Sequence, residues 1–444
     1  MTTPAERVKQ GRAARRRIGR RAQGQWVPAA DRPDPVAVLL EQGADRVQEL
    51  LPIRHGRMAR TPFTFLRGAA AVLAADLAAG PDSGLIVQLC GDAHLLNFGV
   101  YASPERSLLF DLNDFDETHP GPFEWDVKRL AASVAVAARD NGDPDEKARA
   151  AAQAAAQAYR LHLHRLAGLG ELDVWYEMLD TEDLLPLLKG KRQRRATKNL
   201  EHARRRNSLQ AFAKLTEPRD GRPRIVADPP LVEPVELTDY QMVGKVFSQY
   251  RASLPDERKV LLDRFQLTDA ARKVVGVGSV GTRCYILLLQ GRDADDPLFL
   301  QLKEAQPSVL ARHAAGPVPA HQGHRVVAGQ RLLQAASDIF LGWTSGPAGR
   351  HFYGRQLRDM KGSAEVEQMT PGGLRQYAAL CGTALARAHA RSGDRIAISG
   401  YLGASDAFDQ AIAEFAMRYA DQTEADHAAL VAAIEGGAVA AEDL

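Results

Sequence analysis

Cysteine is nearly missing from these 444 residues: Cys90, Cys284 and Cys381 stand far apart in no paired spacing. Neither a disulfide framework nor a cysteine-rich zinc site fits that pattern, and a reducing compartment does. An excess of one charge is missing as well. Fifty-seven Lys and Arg face 55 Asp and Glu, a net charge of +2, too balanced for a surface that traps nucleic acid electrostatically. No stretch approaches about eighteen uninterrupted apolar residues, and the N-terminal MTTPAERVKQGRAARRRIGRR is dense in arginine with no apolar centre. The expectation is a cytoplasmic protein without a membrane partner. What remains is ordinary globular material. Its 45% apolar and 25% charged residues exclude wholesale disorder, and the length leaves room for several domains or one bilobal enzyme.

Hydrophobic patterning divides the chain into parts. Residues 1–30 are basic, lack apolar periodicity and read as a loose arm. Over 31–188 a helical Ala/Leu pattern at 63–79 leads to the apolar run 84–90, a buried strand that stops at glycine. Runs at 98–101 and 107–112 read as a hairpin, with alanine-rich helices over 125–139 and 145–166. Residues 189–270 form a connector, first strongly basic (KGKRQRRATKNLEHARRR), then proline-rich. Residues 271–360 are β-rich, and 361–444 return to helical patterns. The expected class is α+β, with a small β-rich lobe and a large helical lobe.

Chemistry concentrates in Cys90-Gly-Asp-Ala-His-Leu-Leu-Asn97, between the buried strand and the hairpin. Asp92 and Asn97 are five apart, the separation of base and metal-binding amide in a kinase catalytic loop. There an aspartate receives or orients a hydroxyl proton beside the γ-phosphate, while an amide oxygen helps hold magnesium. The hairpin ends in Asp111-Leu-Asn-Asp-Phe-Asp-Glu117. Asp114, which begins the Asp-Phe-Asp run, is the first choice for a metal carboxylate, with Asp111 and Asp116 as alternatives. Asp and Asn at strand ends are ordinarily turn residues; their order and spacing together favour chemistry.

A second constellation lies far downstream, at Gly276-Val-Gly-Ser-Val-Gly281. Apolar strand patterns flank it, and the strand after the next turn ends in Lys303, unlike a dinucleotide fingerprint, which opens a helix. Gly276, Gly278, Ser279, Val280 and Gly281 would offer backbone N–H groups to phosphates, and Lys303 a point charge. Arg355, Gln356 and Leu357 are marked, by position only, as the hinge where backbone groups would hold adenine. The order is reversed relative to a kinase, whose glycine loop and lysine come first. A circular permutation between the helix ending near His389 and the loop at Gly91 reconciles the two, because cuts at exposed connections are tolerated.

The segments Met58-Ala-Arg-Thr-Pro-Phe-Thr-Phe-Leu-Arg-Gly68, Gly91-Asp-Ala-His-Leu-Leu-Asn-Phe-Gly99, Asn113-Asp-Phe-Asp-Glu117, Trp125-Asp-Val-Lys-Arg-Leu130 and Val275-Gly-Val-Gly-Ser-Val-Gly-Thr282 resemble the bacterial domain-of-unknown-function family 2252 over nearly the whole chain. That resemblance implies a distant relative of the protein kinase-like superfamily, hence a bilobal kinase-like fold. The loop is also similar to the aminoglycoside phosphotransferase pattern Gly-Asp-x-His-x-x-Asn. This implies Asp92 as base, His94 as loop stabiliser, Asn97 as metal ligand and Asp126 as the aspartate that buttresses the loop. The chain departs from the pattern twice. Cys90 replaces the usual histidine, and 321–334, where a helix glutamate should pair with Lys303, contains none; Glu304 would point to the other face of its strand.

The leading expectation is an ATP- and magnesium-dependent phosphotransferase acting on an unidentified hydroxyl acceptor, a small molecule or a protein. Nucleotidyl transfer and a catalytically silent nucleotide-binding scaffold are the alternatives. Nucleic-acid binding through 12–21 and 189–206 ranks last, because both stretches lack aromatic residues for base stacking.

Overall fold

The computed structural model describes residues 2–442 except 188–189, 206–207, 220–221, 236–239, 294 and 358. Lys189 and Arg206, which bound the basic stretch, therefore lie outside the described residues. The architecture is mixed α+β. Strand β1 (Ile86–Leu89) pairs antiparallel with β4 (His119–Pro122), and β2 (Phe98–Ala102) with β3 (Leu108–Leu112); the short strand Gly362–Ser363 adds to the other edge of β2. These strands sit on a helical body built from Phe123–Asp140, Asp145–Ala167, Pro371–Ser392 and Ala407–Glu435. Alanine at the contact positions lets these helices approach closely around one large core.

After a small hairpin, β5 (Thr216–Arg219) and β6 (Arg222–Ile225), comes an antiparallel six-stranded sheet. Its members are β7 (Val232–Pro234), β8 (Gln266–Lys273), β9 (Cys284–Gln290), β10 (Pro297–Glu304), β11 (Gly342–Ser345) and β12 (His351–Gln356). They lie in the order β11-β12-β10-β9-β8-β7. Alternation along β10 sorts its side chains. Leu298, Leu300 and Leu302 pack with Tyr250 and Leu254, whereas Phe299 joins a second cluster with Ala211 and Ile225. The helix Gln322–Leu333 ties the sheet to the helical body through Val326, Val327 and Leu333.

Three expectations need correction. The basic arm is not loose: Pro4–Ala14 is a helix opened by a Thr3/Glu6 capping box. It has no apolar stripe because polar contacts hold it, Arg15 donating to the carbonyls of Gly400 and Tyr401 at the end of the helix Arg395–Leu402. The helical run at 63–79 breaks at Ala69 into Pro62–Gly68 and Ala70–Ala78. The stretch 189–270 is not merely a connector, since β7, most of β8 and the helix Tyr240–Ala252 belong to the β-rich part; a boundary at 271 cuts through β8. Among the described residues no helix is long and apolar enough to cross a membrane.

Candidate functional site

The loop after β1 is shaped by a buried carboxylate. Asp126, in the first turn of helix 123–140, accepts hydrogen bonds from the backbone N–H of Cys90 at 2.8 Å and Gly91 at 3.1 Å. His389 Nε2 lies 3.2 Å from the same carboxylate, and Tyr159 Oη lies 2.9 Å from His389 Nδ1. Gly91 has φ +89°, and a Cβ there would run into the Glu117 carbonyl, so glycine is required. The turn aims Asp92 outward, and Asn97 Nδ2 donates to the Asp92 carbonyl at 2.7 Å, leaving the amide oxygen on the opposite side of the group.

Asp92 is not isolated. Arg129 Nε donates to its Oδ1 at 2.7 Å, and Arg129 Nη2 donates to the Leu66 carbonyl at 2.7 Å. Burial pushes the Asp92 carboxyl above its ordinary range, with Arg129 opposing and Asp114 assisting. His94 accepts a bond from Leu96 N–H at Nδ1, 3.2 Å, which puts the neutral ring's proton on Nε2, 3.7 Å from Asp92 Oδ2. Burial, with Arg67 and Arg129 nearby, keeps that ring neutral. With Cys90 in place of the usual histidine, the loop is still tied to Asp126 through the Cys90 backbone N–H.

The three candidate aspartates are sorted by their partners. Asp111 is fully buried, takes both oxygens to Arg387 at 2.7 and 2.8 Å and accepts from Ala335 N–H, so it braces the hairpin. Asp114 lies 3.5 Å from Lys303 Nζ, and Asp116 lies 2.5 Å from it while accepting from Tyr353 Oη at 2.6 Å. Lys303 thus has an acidic partner, supplied by the hairpin rather than by a helix. Burial works against both charges, yet Lys303 and Arg355 hold the Asp114 carboxyl below its ordinary value, and Asp114 and Asp116 hold the ammonium above its own. Helix 322–333 contributes Arg325, which grips the carbonyls of Thr118 and Asp116 at 2.6 and 2.8 Å. Glu304 faces away from Lys303, toward Arg350 at 2.8 Å and Arg283 at 3.2 Å.

One cleft of about 860 Å³, counting the part open to solvent, brings the two constellations together. Asp92, His94, Asn97, Asp114, Asp116 and Glu117 line one side; Gly276, Val277, Gly278 and Ser279 line another; Arg46, Arg67 and Gly68 close a third. The glycine turn joins β8 to β9, with φ +66° at Gly276 and +87° at Gly281. Arg46 pins it by donating to the carbonyls of Gly278 and Val280, both at 2.6 Å, and Val47 N–H donates to the Gly281 carbonyl at 2.8 Å. Glu117 accepts from Val309 N–H at 2.7 Å, and burial pushes its carboxyl up to about 7.

The remaining marked residues do not line this cleft; Lys303 itself is buried, with its ammonium against Asp114 and Asp116. Val280 is buried against Leu50 and Ile53, and Gly281 packs on Arg46. Arg355 turns toward the Asn113 carbonyl at 2.9 Å. The expected adenine-holding backbone is already paired, Gln356 N–H with Asp338 at 2.9 Å and Leu357 N–H with the Phe299 carbonyl at 3.0 Å, because the β12 edge continues along β10. Among the described residues no cluster of three or more His, Cys, Asp or Glu forms a metal cage.

Sequence reasoning missed Arg46, Arg67, Arg129 and Glu117. Arg129 carried a signal: it lies three residues after Asp126, one helical turn along the face that meets the loop.

A family model described as an uncharacterized protein conserved in bacteria, domain of unknown function 2252, matches residues 46–433. The chain belongs to that family. No curated protein and no solved structure matches it. The family 2252 match begins at Arg46, the residue that pins the glycine turn, and spans every cleft residue named above.

Proposed function

We propose that this family 2252 protein is an ATP- and magnesium-dependent phosphotransferase acting on a hydroxyl acceptor. The observation that carries the reading is the convergence of the glycine turn with Asp92, Asn97 and Asp114 on one cleft, with Lys303 3.5 Å from Asp114. Chain order within the sheet supports it. A kinase nucleotide lobe runs strand, glycine-rich turn, strand, lysine strand, helix, then further strands, and β8, β9, β10, helix 322–333, β11 and β12 follow that order. A kinase-like fold with permuted motifs is supported by the join it requires: Gln88 N–H of β1 donates to Ser392 Oγ at the end of helix 371–392, 3.2 Å.

Asp114 and the Asn97 amide oxygen would hold magnesium, a two-ligand set that suits an ion bound mainly through phosphates. Bound magnesium neutralises phosphate charge. Lys303 and the N–H groups around Gly276, Gly278 and Ser279 orient the triphosphate. The acceptor oxygen then bonds to the γ-phosphorus as the bond to the β-phosphate oxygen breaks; the hydroxyl proton passes to Asp92, and ADP leaves. Positioning and charge neutralisation supply most of the barrier reduction. Asp114→Ala is expected to abolish magnesium-dependent ADP release. Undiminished release in that variant removes the assignment.

A second reading, a catalytically silent nucleotide-binding scaffold, is favoured by one contact. Arg129 occupies Asp92 Oδ1 at 2.7 Å and competes for the electron pair that a base would use. It predicts ATP binding with no turnover of any acceptor.

A further inference from the structure

Arg67 is the last-turn residue of helix Pro62–Gly68 and lines the cleft beside Asp92 and the glycine turn. Its backbone carbonyl lies 3.2 Å from where a Cβ on Gly278 would sit, so this helix end and the turn are in contact. Its Nε is buried without a hydrogen-bond partner, and its side chain makes no hydrogen bond or ion pair among the described residues. Neighbouring arginines differ. Arg46 donates to the Gly278 and Val280 carbonyls, Arg129 to Asp92 and Leu66, and Arg54 to Gln42 and Gly68. A buried guanidinium N–H with nothing to bond is costly unless a ligand supplies the acceptor, and Arg67, half-buried in the cleft, keeps its two terminal nitrogens open to one. Burial draws the Arg67 pKa down, with Asp92 opposing.

We infer that Arg67 binds a phosphoryl or similar tetrahedral oxyanion held between the glycine turn and Asp92. The planar fork of guanidinium matches two oxygens of such a group, where a lysine offers one point charge. In the phosphotransferase reading, on which the identity of the anion rests, that location is where the γ-phosphate meets the acceptor hydroxyl. Arg67 then supplies in cis the charge that stabilises the phosphoryl group in transit. The oxyanion has two possible sources, the γ-phosphate of ATP or an anionic group on the acceptor, and one binding experiment separates them.

Calorimetric titration of the full chain, wild type against Arg67→Gln and Arg67→Lys, uses magnesium ATP, magnesium ADP and inorganic phosphate as probes. A tenfold or greater loss of ATP affinity in Arg67→Gln, with ADP affinity within twofold, assigns the γ-phosphate. Unchanged nucleotide affinities with lost binding of inorganic phosphate to the magnesium ADP complex assign an acceptor anion. Arg67→Lys, which keeps the charge and loses the fork, falls between in either case. A second readout guards against a merely structural role. Removing a half-buried cation that bonds nothing in the protein leaves the ligand-free unfolding midpoint unchanged or raised, whereas loss of a structural arginine lowers it. Wild-type affinity for all three probes in Arg67→Gln overturns the inference, as does a lowered midpoint with probe binding intact. A wild type that binds phosphate through Arg67 and no nucleotide keeps the anion site and removes the phosphotransferase reading.

Discussion

Glu117 shows how one side chain reports on the cleft. Burial raises its carboxyl to about 7 from 4.5, with Asp116 and Asp92 reinforcing the shift and Val309 N–H and Arg325 opposing it. A raised folded-state pKa means that its contribution to stability is complete below about 4.5 and is lost as pH climbs through about 7. That loss amounts to about 3 kcal/mol. Glu117→Gln keeps an acceptor for Val309 N–H and cannot ionise. Urea unfolding should therefore find wild type losing about 3 kcal/mol relative to the variant between pH 4 and 8; parallel pH profiles contradict the assignment. At this scale the sequence located Asp92 and Asn97 on one loop and Asp114 at the end of the hairpin, and all three line the cleft. It was silent on Arg67, because an arginine inside a helical run at 63–79 reads as a solvated residue, and its half-buried place beside the cleft depends on a glycine turn more than two hundred residues away.

Among elements, two buried carboxylates hold the site in shape. Asp126 links helix 123–140 to the loop after β1 by accepting two backbone N–H bonds, and His389 adds helix 371–392 to the join. Asp126→Ala leaves both donors unsatisfied and should cost about 2–5 kcal/mol in urea unfolding; a loss under about 1 kcal/mol contradicts the bracing role. Asp111 and Arg387, both fully buried, pin β3 to helix 371–392. Arg387→Met should destabilise by about 3–5 kcal/mol, and adding Asp111→Leu should recover part of that loss, because the single variant strands a buried charge. Equal destabilisation in the single and double variants rules this out. Strands β1 to β3 and the helices around them were legible from periodicity. The docked N-terminal helix was not, since arginines on helix-end carbonyls replace an apolar stripe. The partner of Lys303 was sought on a helix and comes from the hairpin, because Arg325 of helix 322–333 holds the backbone at Asp116.

For the whole molecule, the decisive fact is that groups remote along the chain meet. Lys303 and Asp116 are 187 residues apart and 2.5 Å distant. Periodicity and spacing act over tens of residues, so they locate each cluster but carry no information on the contact between them. Motif order alone pointed to it, through the permutation proposed above, and β1 does meet the end of helix 371–392. The most direct measurement is calorimetric titration of magnesium ATP into wild type, Lys303→Met and Asp114→Ala. One-to-one binding by wild type, weakened tenfold or more by each substitution, is the predicted result. Wild-type affinity in either variant, or no binding by the native protein, contradicts a single nucleotide site built from both clusters.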